Sequence, residues 1–184
     1  LRVFCYNMKI IDLTQTIEAG MKVYDGDPEV KIKEIHTLKK QGWRLKQLSF
    51  GSHTGSHVDA PYHMKEGGAK LDELPLDKFF GDAIIAEVDA EFPKHIGLVF
   101  HKGTLTEELL PKFIIAETPF IVVGDKALLD IPLERALLQS GVITFTDLIN
   151  LSELPNDKHF AFYGIPLKIK DGDGSPIRAF AIVD

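Results

Sequence analysis

Residues 53–63 run His53-Thr54-Gly55-Ser56-His57-Val58-Asp59-Ala60-Pro61-Tyr62-His63, and they leave the backbone little choice. Three of the chain's seven histidines and one carboxylate fall in this stretch. Imidazole nitrogens and a carboxylate oxygen form a common ligand set for zinc or manganese. If the rings are to meet at one ion, the segment cannot be helical, because Pro61 breaks a helix and the spacing aligns the rings poorly. A straight strand fails too, since it would hold His53 and His57 roughly 13 Å apart. Gly55 and Ser56 must therefore curl the chain. After the curl, His57 and Asp59, two apart, point to one side of a short extended stretch. The segment reads as a ligand loop. On spacing alone the competing reading stays open: histidines at the surface, or satisfied by hydrogen bonds. Gly55, Asp59 and Pro61 add a specificity that a lone His-x3-His lacks.

A chain of 184 residues fits a single domain over 1–184 and is long enough to bury a core. With 27 acidic against 21 basic residues the net charge is −6, and the lysines are scattered without a basic stripe. That argues against nucleic acid and suits an enzyme acting on a small molecule. No apolar run approaches the roughly 20 residues that span a bilayer, so no membrane partner is expected. The single Cys5 excludes an internal disulfide framework and suits a reducing compartment. The first residues lack a secretory pattern, and residues 1–7 read as an extension ahead of Met8 with no functional weight. The cytoplasm is the expected location.

Ile10 to Thr14 reads as a strand, and a turn at Asp25-Gly26-Asp27-Pro28 follows. Alternating stretches from Val30 to Ile35 and from Leu45 to Phe50 predict an antiparallel pair leading into the histidine loop. Leu76 to Phe80 predicts a helical turn, while Ala83 to Val88 and Gly97 to Phe100 predict buried strands. Thr106 looks like the N-cap of a helix running to about Ile115. Strands are expected at Phe120 to Val123 and Val142 to Phe145, with a second helix from Pro132 to Gln139 between them. Phe160 to Lys168 and Ile177 to Val183 predict a closing hairpin turned by Asp171-Gly172-Asp173-Gly174. The expectation is one mixed α/β domain with two late helices.

The string from His53 to His63 resembles the signature of the cyclase-like metal-dependent hydrolases, the family of bacterial kynurenine formamidase and isatin hydrolase. Ordered matches extend from Ile11-Asp12-Leu13-Thr14 through Tyr24-Asp25-Gly26-Asp27-Pro28, Gly67-Gly68 and Leu74-Pro75-Leu76. They continue to Asn150-Leu151-Ser152-Glu153-Leu154, Ile165-Pro166-Leu167-Lys168 and Gly172-Asp173-Gly174-Ser175-Pro176-Ile177-Arg178-Ala179. The resemblance implies a swivelling β/β/α fold with a mixed sheet, and a homo-oligomer, dimer or tetramer. It makes His53, His57 and Asp59 ligands of a divalent ion, Zn2+ or Mn2+, and His63 the general acid/base. An unperturbed imidazole titrates near pH 6.5, as that role requires.

The chain departs from the formamidase pattern further on. Where that branch is expected to place a histidine and a glutamate for a second ion, this chain has Glu134 and Thr146. Threonine is a poor zinc ligand, and Asp147 should point the opposite way, since one residue along a strand reverses the side chain. Glu134 stays open as a further carboxylate ligand or a solvated helix residue. The segment Gly124-Asp125-Lys126-Ala127-Leu128-Leu129-Asp130 also replaces an expected aspartate string. The leading expectation is a hydrolase that cleaves a C–N or C–O bond of a small cyclic or acylated amide or lactone by metal-activated water. Arylformamidase activity on N-formylkynurenine is one alternative, and a non-catalytic metal- or small-molecule-binding protein is another. Trp43 is open between substrate lid, core and subunit interface. His36, His95, His101 and His159 are expected at the surface or hydrogen-bonded, Asp25 and Asp27 as turn formers, and Arg178 without a substrate role.

Overall fold

The structure, a computed structural model, describes residues 8–183. The readings of Cys5 and of residues 1–7 lie outside the described residues. The strands are β1 (Lys9–Asp12), β2 (Lys31–His36), β3 (Leu45–Ser49), β4 (His57–Asp59), β5 (Phe80–Ile85) and β6 (Gly97–Phe100). They continue as β7 (Gly103–Leu105), β8 (Phe120–Gly124), β9 (Ala127–Leu129), β10 (Ile143–Leu148), β11 (Phe160–Pro166) and β12 (Gly174–Val183). The α-helices are α1 (Leu38–Gln41), α2 (Leu110–Ile115) and α3 (Ile131–Gln139).

Eight strands form one mixed sheet in the order β1-β12-β11-β5-β6-β8-β10-β4, and β4 pairs again with β12. That last pairing closes the sheet into a ring. The β5–β6, β6–β8 and β8–β10 contacts are parallel, and the others in the ring are antiparallel. Strand alternation explains the two cores. Val99 and Val122 join Phe120, Phe145 and Phe162 in a cluster drawn from all seven strands of the ring, hence its interior. Leu98, Phe100, Ile121 and Val123 point outward and pack with Phe113 of α2 and Leu133 and Leu137 of α3. The three interior phenylalanine rings meet at centroid distances of 5.0–5.7 Å.

The mixed α/β architecture agrees with expectation, as do the β2–β3 pair, α3 and the closing hairpin. The first late helix differs. Thr106 makes no side-chain cap, a 3-10 turn covers Glu107–Leu109, and α2 starts only at Leu110. A helix running on from Thr106 would carry Pro111 in its interior, where the ring meets the carbonyl four residues back. The chain restarts the helix with Pro111 in its first turn instead. Among the described residues no helix is long and apolar enough to cross a membrane.

Candidate active site

Gly55 takes φ +61°, the left-handed backbone that the predicted curl requires. The chain then enters β4, which is paired along both edges. Asp59 lies opposite Thr144 of β10 and Gly174 of β12, and His57 lies opposite Thr146 and Pro176. Val58 turns into the ring, so His57 and Asp59 share the other face. Both are buried.

His53 returns over this strand. Its Nδ1 lies 2.7 Å from Asp59 Oδ1, and His57 Nε2 lies 3.5 Å from the same oxygen. One ligand atom from each of the three residues falls within 4.8 Å of the others. Two imidazoles and a carboxylate converging in this way fit a divalent cation. His57 Nδ1 donates to the Gly55 carbonyl at 2.7 Å, which leaves Nε2 free to face that point. The Thr144 hydroxyl donates to Asp59 Oδ2 at 2.9 Å. The Thr146 hydroxyl lies 3.0 Å from His57 Nε2.

His63 ends a 3-10 turn over Pro61–His63, and its ring centroid lies 4.0 Å from that of His53. On the far side of His53, Asp173 Oδ2 is 3.0 Å from Nε2 and 3.8 Å from His63 Nδ1. An open cleft lined by Tyr62, His63, Lys65, Arg135, Asp171 and Asp173 gives access to this side.

Glu134 also reaches the group. Asp130 caps α3 by accepting from Leu133 N at 2.8 Å, and Glu134 in the first turn brings its carboxyl against Asp59. Glu134 is half-buried there. The β10–β8 register shifts between Phe145 and Leu148, and Asp147 takes φ +59°. Such a bulge breaks the two-residue period, so the carboxyl comes within electrostatic reach of His57 and Asp59 while remaining accessible to solvent.

The ionisations follow from these neighbours. Burial pulls His53 down, but Asp59 and Asp173 overcome it and raise the imidazole to about 9. Burial and then the nearby Asp59 push Glu134 up to about 8. Asp59 is opposed by its own burial, yet His57, His53 and Thr144 hold it below the usual carboxylate range. Asp173 is lowered in the same way by His53 and Ser52 against its desolvation. His63 is depressed by burial and by the neighbouring His53. Asp147 is raised, chiefly by desolvation that its partial exposure moderates.

His53, His57, Asp59 and His63 lie together, and Glu134 is within electrostatic reach of Asp59. Asp173 was read only as part of a turn; its signal was the second aspartate of Asp171-Gly172-Asp173-Gly174. The remaining singled-out residues lie elsewhere. His95 and His101 face Glu117 and Glu87, and Arg178 pairs with Asp12 at 2.6 Å. Trp43 is exposed and sits edge-on to His36.

Known proteins resemble this chain in sequence and in fold. Residues 11–117 match the family model described as "Putative cyclase". A kynurenine formamidase of Salinibacter ruber is 29% identical over 208 residues, covering 94% of this chain and 96% of the relative. An uncharacterized protein of Methanocaldococcus jannaschii is 30% identical over 193 residues, covering 96% and 100%. The fold is that of isatin hydrolase A from Labrenzia aggregata, with a TM-score of 0.78, 23% identity and coverage of 96% and 94%.

Proposed function

The chain belongs to the cyclase family, and from that premise we propose a metal-dependent hydrolase that cleaves the C–N or C–O bond of a small cyclic or acylated amide or lactone. The convergence of His53 Nδ1, His57 Nε2 and Asp59 Oδ1 beside the uncommitted imidazole of His63 carries this reading. A divalent ion at that point, Zn2+ or Mn2+, supplies a Lewis acid and lowers the pKa of water toward roughly 7. His57 and His53 hold their rings in fixed orientations through the Gly55 carbonyl and Asp173. His63, kept below its ordinary value, is neutral at pH 7 and can accept a proton from the attacking water. It then returns that proton to the leaving nitrogen or oxygen as the bond between that atom and the carbonyl carbon breaks. Substitution His63→Ala should abolish hydrolysis of candidate amides and lactones by 100-fold or more while leaving metal content unchanged. Full activity in that variant removes the assignment.

A second reading is favoured by one observation, the half-buried Glu134 within electrostatic reach of Asp59, which helps to raise its carboxyl. Were Asp59 and Glu134 to hold a second ion as well, the arylformamidase alternative would be restored. Elemental analysis separates the readings, with one metal per chain supporting the first and two supporting the second.

The protein is further proposed to work as a homo-oligomer, dimer or tetramer. The β2–β3 hairpin lies outside the ring with both strands largely exposed. Trp43, Leu45 and Leu48 are exposed on it. A two-stranded hairpin is marginal alone in water and gains stability by packing on a second copy.

A further inference from the structure

Both nitrogens of His53 face a carboxylate, Nδ1 toward Asp59 at 2.7 Å and Nε2 toward Asp173 at 3.0 Å. The other proposed ligand atoms, His57 Nε2 and Asp59 Oδ1, lie on the Nδ1 side. An ion there takes the Nδ1 lone pair, and the ring proton must then reside on Nε2. We propose that Asp173 is a positioning residue of the metal centre, whose carboxylate accepts the Nε2 proton of His53, locks the ring with Nδ1 toward the ion, and so sets metal affinity. This rests on the reading of His53, His57 and Asp59 as ligands.

The backbone around Asp173 is built for the task. Ala60 N donates to the Asp173 carbonyl at 2.8 Å, and Leu71 N donates to the Gly172 carbonyl at 2.8 Å. Gly174, in register with Asp59, lies directly on the His53 ring: a Cβ there would stand 2.6 Å from His53 Cε1. The turn is thus clamped on three sides, and the carboxylate needs no search to find Nε2. His57 is oriented by the same logic with the nitrogens exchanged, Nδ1 donating to the Gly55 carbonyl. Its partner there is a neutral carbonyl. An ionised carboxylate makes a stronger, charge-assisted bond and raises the basicity of the opposite nitrogen. Asp173 Oδ2 is also 3.8 Å from His63 Nδ1, too long for a hydrogen bond. It acts on His63 through its field alone.

A competing arrangement uses the same atoms. One ligand atom each from His53, His63 and Asp173 also lies within 4.8 Å of the others. It would make Asp173 a ligand of a separate ion and strip the proton from Nε2. Protein with 15N-labelled histidine, loaded with Zn2+, distinguishes the two by long-range 1H–15N correlation. The His53 spectrum should show Nε2 protonated and Nδ1 bound to metal; Nε2 bound to metal overturns the proposal.

Chelator competition for Zn2+ supplies the energetic arm. Asp173→Ala should weaken binding 10–100-fold, and Asp173→Asn, whose amide oxygen still accepts, should lose less. Wild-type affinity in Asp173→Ala overturns the proposal. So does a drop from two ions to one in either variant with the remaining site unchanged. His57→Ala is the control, because wild-type affinity in that protein refutes the ligand set itself rather than the role of Asp173. Should Asp173→Ala fail to fold, the spectrum of the unmodified protein still decides.

Discussion

His53 carries a proton in the metal-free protein that any ion at Nδ1 has to displace. Raised to about 9 by its two carboxylates, the ring is an imidazolium at pH 7. Zinc binding at pH 7 should therefore release about one proton from His53, and affinity should fall roughly tenfold per unit as pH drops below 9. Calorimetry in buffers of different ionisation enthalpy counts the protons; uptake of zinc with none released contradicts this account. Glu134, pushed up to about 8, holds a second proton that leaves only if an ion engages it. The same two groups also contribute to stability without metal. Each folded pKa lies above its unfolded value, so the folded state binds more protons and stability falls as pH rises. For Glu134 the loss runs from 4.5 to about 8, and for His53 from 6.5 to about 9. His63, lowered from 6.5, opposes this loss up to that pH, so the melting temperature of the metal-free protein should decline above 6.5, and Glu134→Gln should make the decline shallower up to about 8.

Two elements bring the site together, the start of β12 and the bulge in β10. Gly174→Ala would force a Cβ to 2.8 Å from the Val58 carbonyl as well as onto the His53 ring. The expected cost is about 1–3 kcal/mol by denaturant unfolding, together with weakened metal binding. A variant unchanged in both measurements contradicts the close packing of β12 on β4. In the bulge, Asp147→Val should destabilise by about 1–2 kcal/mol, because a β-branched residue tolerates φ +59° poorly; Asp147→Gly should not. These two features also mark the limit of what could be read from the chain. The ligand loop was legible because its constraint is local: Gly55, His57, Asp59 and Pro61 act within a few positions. The strands and α3 were legible from alternation and caps. The bulge that redirects Asp147 and the pairing of β12 on β4 depend on partners tens of residues away. Asp173 therefore reads in the sequence only as a turn former. Thr106 misled for a simpler reason, since its capping signal was read without the proline five residues later.

On the scale of the molecule, the ring is closed by its own strand pairings while the β2–β3 hairpin stands outside it. If that hairpin packs on a second copy, Leu45→Lys combined with Leu48→Lys should shift sedimentation from dimer or tetramer to monomer and leave metal content intact. A wild-type protein that sediments as a monomer rules this out. The interior should be intolerant of truncation. Phe145→Ala, in the fully buried aromatic trio, should cost about 3–5 kcal/mol in urea unfolding. Closure of the ring through β12 has a consequence during synthesis. The three proposed ligands leave the ribosome early, but β10 and β12, which flank β4 on its two edges, follow some 85 to 120 residues later. Until then the histidine segment is an open chelating peptide without its orienting partners. An ion held by these residues would thus be bound firmly only once Asp173 has left the ribosome, and a nascent chain stalled before that point should surrender zinc to a mild chelator.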